Sequence, residues 1–277
     1  MKYIFFGTPE FAAIILEKLI KAGLMPEAVI CNPDKPIGRK QIITSPPVKI
    51  LAEKHNLAVY QPKDKTELLK IIKNLQPDLA IVTAFGMIFP KEVLNVARCG
   101  FINVHPSLLP KYRGASPIQT AILNGDKETG VSLFLVDEEI DKGPILVSSR
   151  LPLRISDNYE ILMRKLADLG AHLLIETLPK YINAEITPLS QDESQATYTK
   201  RFSTQDGYIE PSDLEKAEHE GGRIALEIDR KIRALNPEPG AWTVLNGKRT
   251  KILEAKIIDE KLKITKIQVE GKKPVEL

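Results

Sequence analysis

Short apolar runs alternate with stretches of helical periodicity through the first half of the chain. Tyr3 to Phe6, Glu27 to Cys31, Leu79 to Thr83, Phe101 to Val104 and Val131 to Val136 have the length of strands and are separated by helical patterns. That alternation is the signature of strand-helix-strand units around a mostly parallel sheet. Between the first two runs, Pro9 to Lys21 sets Phe11, Ile14, Ile15, Leu19 and Ala22 on one helical face. Pro9 suits a first turn, where no amide donor is needed. A longer helix is predicted from Asn158 to Ile182, with Leu162, Leu166, Leu169, Leu173 and Leu178 in its apolar stripe, and it closes a first domain.

The pattern then changes. Ser190 to Gly207 is polar, lacks helical spacing and reads as a surface linker. Beyond it a helix carries Ile224, Ile228, Ile232 and Leu235 and stops at Asn236-Pro237. Strand-like runs follow at Ala241 to Leu245, Thr250 to Ile258 and Leu262 to Val269, a sequence of elements that predicts a small β-barrel. The expected architecture is therefore α/β, a Rossmann-like sheet domain over 1–189, a linker over 190–207 and a β domain over 208–277.

A chain of 277 residues can bury a full core and divides naturally into a larger and a smaller domain. The apolar run near the start is cut at once by Gly7-Thr8-Pro9-Glu10, so neither a signal peptide nor a membrane span is expected, and the location expected is cytoplasmic. Cys31 and Cys99 are too few for a disulfide framework, and His55, His105, His172 and His219 are too scattered for metal-ligand spacing; no metal is expected. The net charge of +3 decides nothing by itself, because only clustered charge leaves an electrostatic footprint. Position says more: after Pro239 nine lysines and arginines stand against five acidic residues, so the tail is basic.

The candidate chemistry lies in Phe101 to Gly114, FINVHPSLLPKYRG, and Val131 to Gly143, VSLFLVDEEIDKG. Ligands of open α/β sheets sit beyond the carboxyl ends of strands, where Asn103 and His105 fall. Two apart on an extended segment, they point to the same face. Asp141 follows the next strand, so the three are expected to converge. This set holds no convincing Ser or Cys nucleophile, but it has what direct acyl transfer to an amine requires. The amine attacks unaided once it loses a proton, and the carbonyl oxygen, becoming an oxyanion, calls for hydrogen-bond donors. Asn103 can donate its amide N–H. His105 can donate from one ring nitrogen if a carboxylate holds the other, and Asp141 can do that or move the amine proton through water. Taken singly, the three are also compatible with a loop Asn, a polar strand-end His and a turn Asp before Lys142-Gly143.

The pattern Asn-x-His-x-Ser-Leu-Leu-Pro-x-x-Arg-Gly-x-x-Pro, Asn103 to Pro117, followed by Asp141, resembles the folate-dependent formyltransferases. Phe6-Gly7-Thr8-Pro9-Glu10-Phe11, Pro33-Asp34-Lys35-Pro36-x-Gly38-Arg39, Ser45-Pro46-Pro47-Val48-Lys49 and Ile232-Arg233-Ala234-Leu235-Asn236-Pro237 are similar to the methionyl-tRNA formyltransferase branch of that family. The resemblance implies a formyltransferase fold whose first domain binds folate. Its second domain would be an oligonucleotide-binding (OB-like) barrel that helps hold tRNA. It implies transfer from 10-formyltetrahydrofolate, as donor substrate, to the amine of aminoacylated initiator tRNA, with Asn103, His105 and Asp141 catalytic. Folate contacts would come from Phe85, Gly86 and Ile88, from Ser107, Leu108, Leu109 and Pro110, and from Val136, Asp137, Glu138 and Ile140.

The segment Asn32 to Lys49 is long, polar and bounded by prolines, as an exposed loop must be, and its Lys35, Arg39, Lys40 and Lys49 could meet a phosphate backbone. The resemblance assigns this loop, with Arg39 and Lys40, to the acceptor arm of tRNA. It puts Phe11 near the esterified methionine and adds Lys200, Arg201 and Arg233 as tRNA contacts. Two departures stand out. Glu238 replaces the usual aromatic, and Ile258-Asp259-Glu260-Lys261 leads straight into the last strand-like run, so a shortened or open barrel is expected. The rival readings are a sugar-nucleotide N-formyltransferase acting on an amino sugar, a tRNA- or nucleotide-binding protein without catalysis, and a hydrolase that releases formate. A monomer is expected.

Overall fold

The computed structural model of the chain describes residues 1–38 and 40–277; Arg39 lies outside the described residues. The chain opens with β1 (Tyr3–Gly7), α1 (Glu10–Lys21) and β2 (Ala28–Ile30), then a hairpin of β3 (Lys35–Ile37) and β4 (Ile42–Thr44). It continues through α2 (Pro47–Lys54), β5 (Ala58–Tyr60), α3 (Lys65–Leu75), β6 (Leu79–Thr83), α4 (Lys91–Leu94) and β7 (Phe101–His105). After a short β8 (Arg113–Gly114) come α5 (Pro117–Asn124), β9 (Glu128–Leu135), β10 (Ile145–Pro152) and α6 (Tyr159–Ile182). The remainder holds β11 (Tyr198–Thr199), α7 (Pro211–His219), α8 (Gly222–Leu235) and four strands, β12 (Trp242–Leu245), β13 (Lys248–Ile258), β14 (Lys261–Val269) and β15 (Val275–Glu276).

Seven strands form one sheet in the order β10-β9-β7-β6-β1-β2-β5. β1 and β6 are buried along their whole length, as strands covered on both faces must be, and they pair in parallel. β2, β5 and β7 join them in parallel, whereas β9 runs antiparallel to β7. Strand order reverses between β1 and β6, which is the switch point where α/β sheets open a crevice. Phe6 anchors the core on one face, with ring centroids 5.1 Å from Phe85, 5.2 Å from Phe89 and 5.8 Å from Phe101. Local signals account for the helices: α3 starts at Asp64, whose carboxylate accepts from the Glu67 amide at 2.8 Å, while Glu67 accepts from the Lys63 amide at 2.9 Å.

The contacts within the chain define two compact units. The first comprises Met1–Arg113, Gly130–Leu151 and Met163–Tyr198, and the second comprises Gly114–Thr129, Pro152–Leu162 and Thr199–Leu277. This differs from a contiguous division into 1–189 and 208–277, because α5 packs on α8. Gly125 ends α5 with a left-handed φ of 67°, and the Arg230 guanidinium of α8 occupies the space a side chain there would need.

In the second unit α7 and α8 cover a four-stranded antiparallel sheet, β12-β13-β14-β15, around Leu214, Ile228, Ile232, Ile252, Leu262 and Ile264. The sheet is open with two edge strands, in line with the expectation from Ile258-Asp259-Glu260-Lys261 of a shortened or open barrel. Asn236 fastens the end of α8 to the bulge in β13: its amide donates to the carbonyls of Ile252 at 2.9 Å and Leu253 at 3.0 Å and accepts from the Ala241 N–H at 3.2 Å.

Candidate active site

β7 carries the two central candidates. Its register with β9 sets Asn103 opposite Phe134 and His105 opposite Ser132, and alternation along the strand puts both side chains on one face. Asn103 is half-buried and His105 is buried. His105 Nε2 lies 2.9 Å from the Tyr112 carbonyl oxygen, which can only accept, so Nε2 carries a hydrogen. Nδ1 lies 3.6 Å from Asp141 Oδ2, beyond a direct hydrogen bond but within ion-pair range. Both ring nitrogens thus face acceptors. The expectation was that a carboxylate would hold one nitrogen while the other served the substrate. Here the Tyr112 carbonyl takes Nε2, and the Asp141 carboxylate lies beside Nδ1.

Asp141 reaches this position by an unexpected route. Because β9 is antiparallel to β7, its carboxyl end at Leu135 lies opposite Ile102, not beside His105. The following loop must run back along β7 to bring Asp141 to the imidazole. Asp141 adopts a left-handed φ of 52°. At Gly143 a side chain would collide with the Leu135 carbonyl, so glycine is required there. Gln191 closes the turn: its Nε2 donates to the carbonyls of Asp141 at 2.9 Å and Gly143 at 2.8 Å. Its Oε1 in turn accepts from Arg113 Nε at 3.1 Å and Nη2 at 2.7 Å. The Arg113 side chain is fully buried and also forks onto Glu193 at 2.8 and 3.1 Å and donates to Tyr198 Oη at 3.1 Å. Hydrogen bonding from Arg113 holds the Glu193 carboxyl below its ordinary range. The polar segment read as a linker therefore begins by completing the site's support, and sequence reasoning did not single out Gln191, Glu193 or Arg113 for it.

The candidate folate residues fall in three loops. Ser132 Oγ ties the Ser107–Pro110 turn to the sheet, accepting from the Leu109 N–H at 3.0 Å and donating to the Ser107 carbonyl at 2.8 Å. The Ser107 hydroxyl is spent on the Lys111 carbonyl at 2.6 Å, while Leu108 and Pro110 are half-buried. After β6, Phe85 is buried and its carbonyl accepts from Asn32 Nδ2 at 3.1 Å. Gly86 has a φ of 79° with open space where a side chain would stand, and Ile88 is exposed. After β9, Val136 is half-buried, Asp137 accepts from the Glu139 N–H at 2.9 Å, Glu138 lies 3.6 Å from Lys91 and Ile140 is exposed. Among the described residues no cluster of His, Cys, Asp and Glu could hold a metal ion.

Residues 1–178 match the model of the formyl transferase family, and residues 223–265 match that of the formyl transferase C-terminal domain. The methionyl-tRNA formyltransferase of Levilactobacillus brevis is 41% identical over 261 residues, covering 93% of this chain and 80% of the relative. The chain belongs to the methionyl-tRNA formyltransferase family. Among solved structures, the methionyl-tRNA formyltransferase of Clostridium thermocellum superposes with a TM-score of 0.64 at 21% identity, over 97% of this chain and 98% of that one. The N-formyltransferase of Helicobacter canadensis, solved with folinic acid and dTDP-3-aminofucose, gives 0.66 at 23% identity over 94% and 89%. At such identities the likeness is one of fold.

For a methionyl-tRNA formyltransferase relative the remaining candidates are nucleic-acid contacts, and the structure divides them. Lys40, Lys200 and Arg201 are exposed, Lys200 with its ammonium 2.5 Å from Asp206. Phe11 is buried in the first turn of α1. Arg233 is committed inside the second unit, donating to Asp229 at 2.8 Å and to the Asp157 carbonyl at 2.8 Å. Arg39 lies outside the described residues. Lys49 is spoken for as well: it donates to Asp34 at 2.8 and 3.0 Å and to Gln61 at 3.0 Å, which makes it a clasp at the hairpin base. Hydrogen bonds from Lys49 first, and then Gln61, hold the Asp34 carboxyl below the usual range. A carboxyl lowered in this way stabilises above its unfolded pKa and loses that effect as pH falls through the folded value, here from about pH 4 downward. At neutral pH, Asp34→Ala is expected to speed amide exchange in β3 and β4 roughly two- to five-fold with little change in global melting. Hydrogen-exchange mass spectrometry resolves this, and unchanged exchange would mean that the clasp does not hold the hairpin.

Proposed function

We propose that this chain moves the formyl group of 10-formyltetrahydrofolate to the free amine of methionyl-tRNA, in its initiator form, by direct attack of the amine on the formyl carbon. The observation that carries the reading is the pairing of His105 with Asp141 beside Asn103, in a chain of this family. As the new C–N bond forms, negative charge gathers on the formyl oxygen. Donors already fixed in place stabilise it without reorganising. The Asn103 amide is one such donor and His105 Nδ1–H the other. Asp141 steadies the His105 ring and takes the proton released by the amine, directly or through water. The bond from carbon to the folate nitrogen then breaks, and that nitrogen leaves with the electron pair and gains a proton.

The loops after β6, β7 and β9 fit a folate. The open turn at Gly86 lets backbone groups approach a flat ring, and Ile88 and Ile140 offer apolar surface. For the tRNA, exposed bases on the hairpin, at Lys200 and Arg201 and along the tail provide phosphate contacts. Arg39 belongs to this proposal on its place in the sequence alone. Among the described residues no helix is long and apolar enough to cross a membrane. We take the protein to work as a cytoplasmic monomer.

One assay decides the acceptor. The protein is incubated with formyl-labelled donor and, in parallel, methionyl-tRNA, an amino-sugar nucleotide or buffer. Label is expected in the RNA fraction, released by mild base as formylmethionine. Label on the sugar in preference to tRNA would replace this reading with sugar N-formylation, and label released as formate in buffer at the same rate would make the protein a hydrolase.

A further inference from the structure

We propose that Arg113 and Gln191 are positioning residues that set the Asp141 carboxylate against His105. The proposal rests on the reading of Asp141 as part of the reacting centre. Asp141 is on a loop that runs back along an antiparallel strand, and its φ of 52° is one that residues other than glycine seldom adopt. Neither fact favours a fixed carboxylate. What fixes it is Gln191, whose amide hydrogens grip the carbonyls on both sides of the turn, at Asp141 and Gly143. A glutamine amide could present either end. Here Arg113 decides, because its guanidinium has only donors and requires the oxygen. The two amide hydrogens are then turned toward the two carbonyls. Arg113 itself is held by the two-pronged bond to Glu193, the bond to Tyr198 and its own backbone N–H to the Thr197 carbonyl at 2.9 Å. The residue before it, Tyr112, supplies the carbonyl that holds His105 Nε2. One buried arginine thus sits at the root of both settings, the ring and the carboxylate.

The test uses the full chain with 10-formyltetrahydrofolate and methionyl-tRNA. Gln191→Glu keeps the acceptor that Arg113 needs but turns a carboxylate oxygen on two carbonyls; Gln191→Met removes the donors without adding charge. Both are expected to melt near the parent and to lower kcat about 10- to 100-fold, the scale of a misplaced catalytic group, with KM for either substrate within about two-fold. In an Asp141→Asn background, Gln191→Glu should cost less than about two-fold, since the group it positions is already gone. Parent-like kcat in both Gln191 variants, or the same loss with and without Asp141, would overturn the inference while leaving the site intact. Parent-like kcat in Asp141→Asn alone would instead overturn the reading of the site.

Discussion

Asn103→Ala is expected to lower turnover by about 100- to 1000-fold while leaving folate binding nearly unchanged. The reason lies in where charge appears. The ground-state formyl oxygen is neutral and weakly accepting, so the lost donor matters little to binding; the oxyanion that follows needs it. An interaction made only in the transition state shows in kcat, not in KM. Asn103 is half-buried at a central strand, flanked by Val82 on one side and Phe134 on the other, so alanine leaves the ladder intact and a failure to fold should not confuse the result. Single-turnover formylation measures the effect directly. Because Asn103 and His105 are proposed to serve one oxygen, the double change with His105→Ala should cost little more than the worse single one. A near-parental rate for Asn103→Ala would remove the oxyanion argument altogether.

The second large effect is expected from salt. On the open sheet of the second unit, Lys256 stands directly opposite Lys263 across β13 and β14, and both are exposed. Like charges so placed disfavour the sheet by themselves, a cost that a polyanion lying over them would relieve. Lys248 and Lys261 are exposed as well, whereas Lys266 is paired with Glu254 and Glu276, and Arg249 stacks 4.1 Å over Trp242. If tRNA binding neutralises about four to six phosphates, counterion release should weaken it roughly 100- to 1000-fold between about 50 and about 200 mM salt. Filter binding of methionyl-tRNA across that range gives the slope. Folate affinity, measured in the same buffers, should vary far less, and equal slopes for the two ligands would argue against a backbone-binding surface.

The buried strands were legible because unbroken apolar runs leave few alternatives: Tyr3 to Phe6 and Leu79 to Thr83 became β1 and β6. Asn103 and His105 were legible through period-two spacing. The route to Asp141 was not, since strand direction leaves no mark on a run as short and largely apolar as Val131 to Leu135, and the argument that brought Asp141 toward His105 suits a parallel strand. The hairpin β3 and β4 was hidden by its three-residue strands, and β5 likewise. Gln191 was invisible for a different reason. Its bond to Arg113 joins residues 78 positions apart, and a polar segment advertises nothing about the buried charge it will meet. The nearest clue was Arg113 itself, whose guanidinium, once buried, needs acceptors from elsewhere in the chain.

The interleaving of the two units bears on how such a protein could be recombined. The chain crosses from one unit to the other after Arg113, Thr129, Leu151, Leu162 and Tyr198, and α6 itself is divided by one of these crossings. A graft that exchanged only the last part of the chain for that of a relative would keep the native α5, with Arg230's counterpart and the α8 surface now foreign to it. Ile118 and Ile122, buried in the native chain, would have to find new partners. The transplantable piece is therefore a discontinuous one. It must carry Gly114–Thr129 and Pro152–Leu162 along with Thr199–Leu277, although two of those segments lie inside the stretch, 1–178, that matches the formyl transferase model.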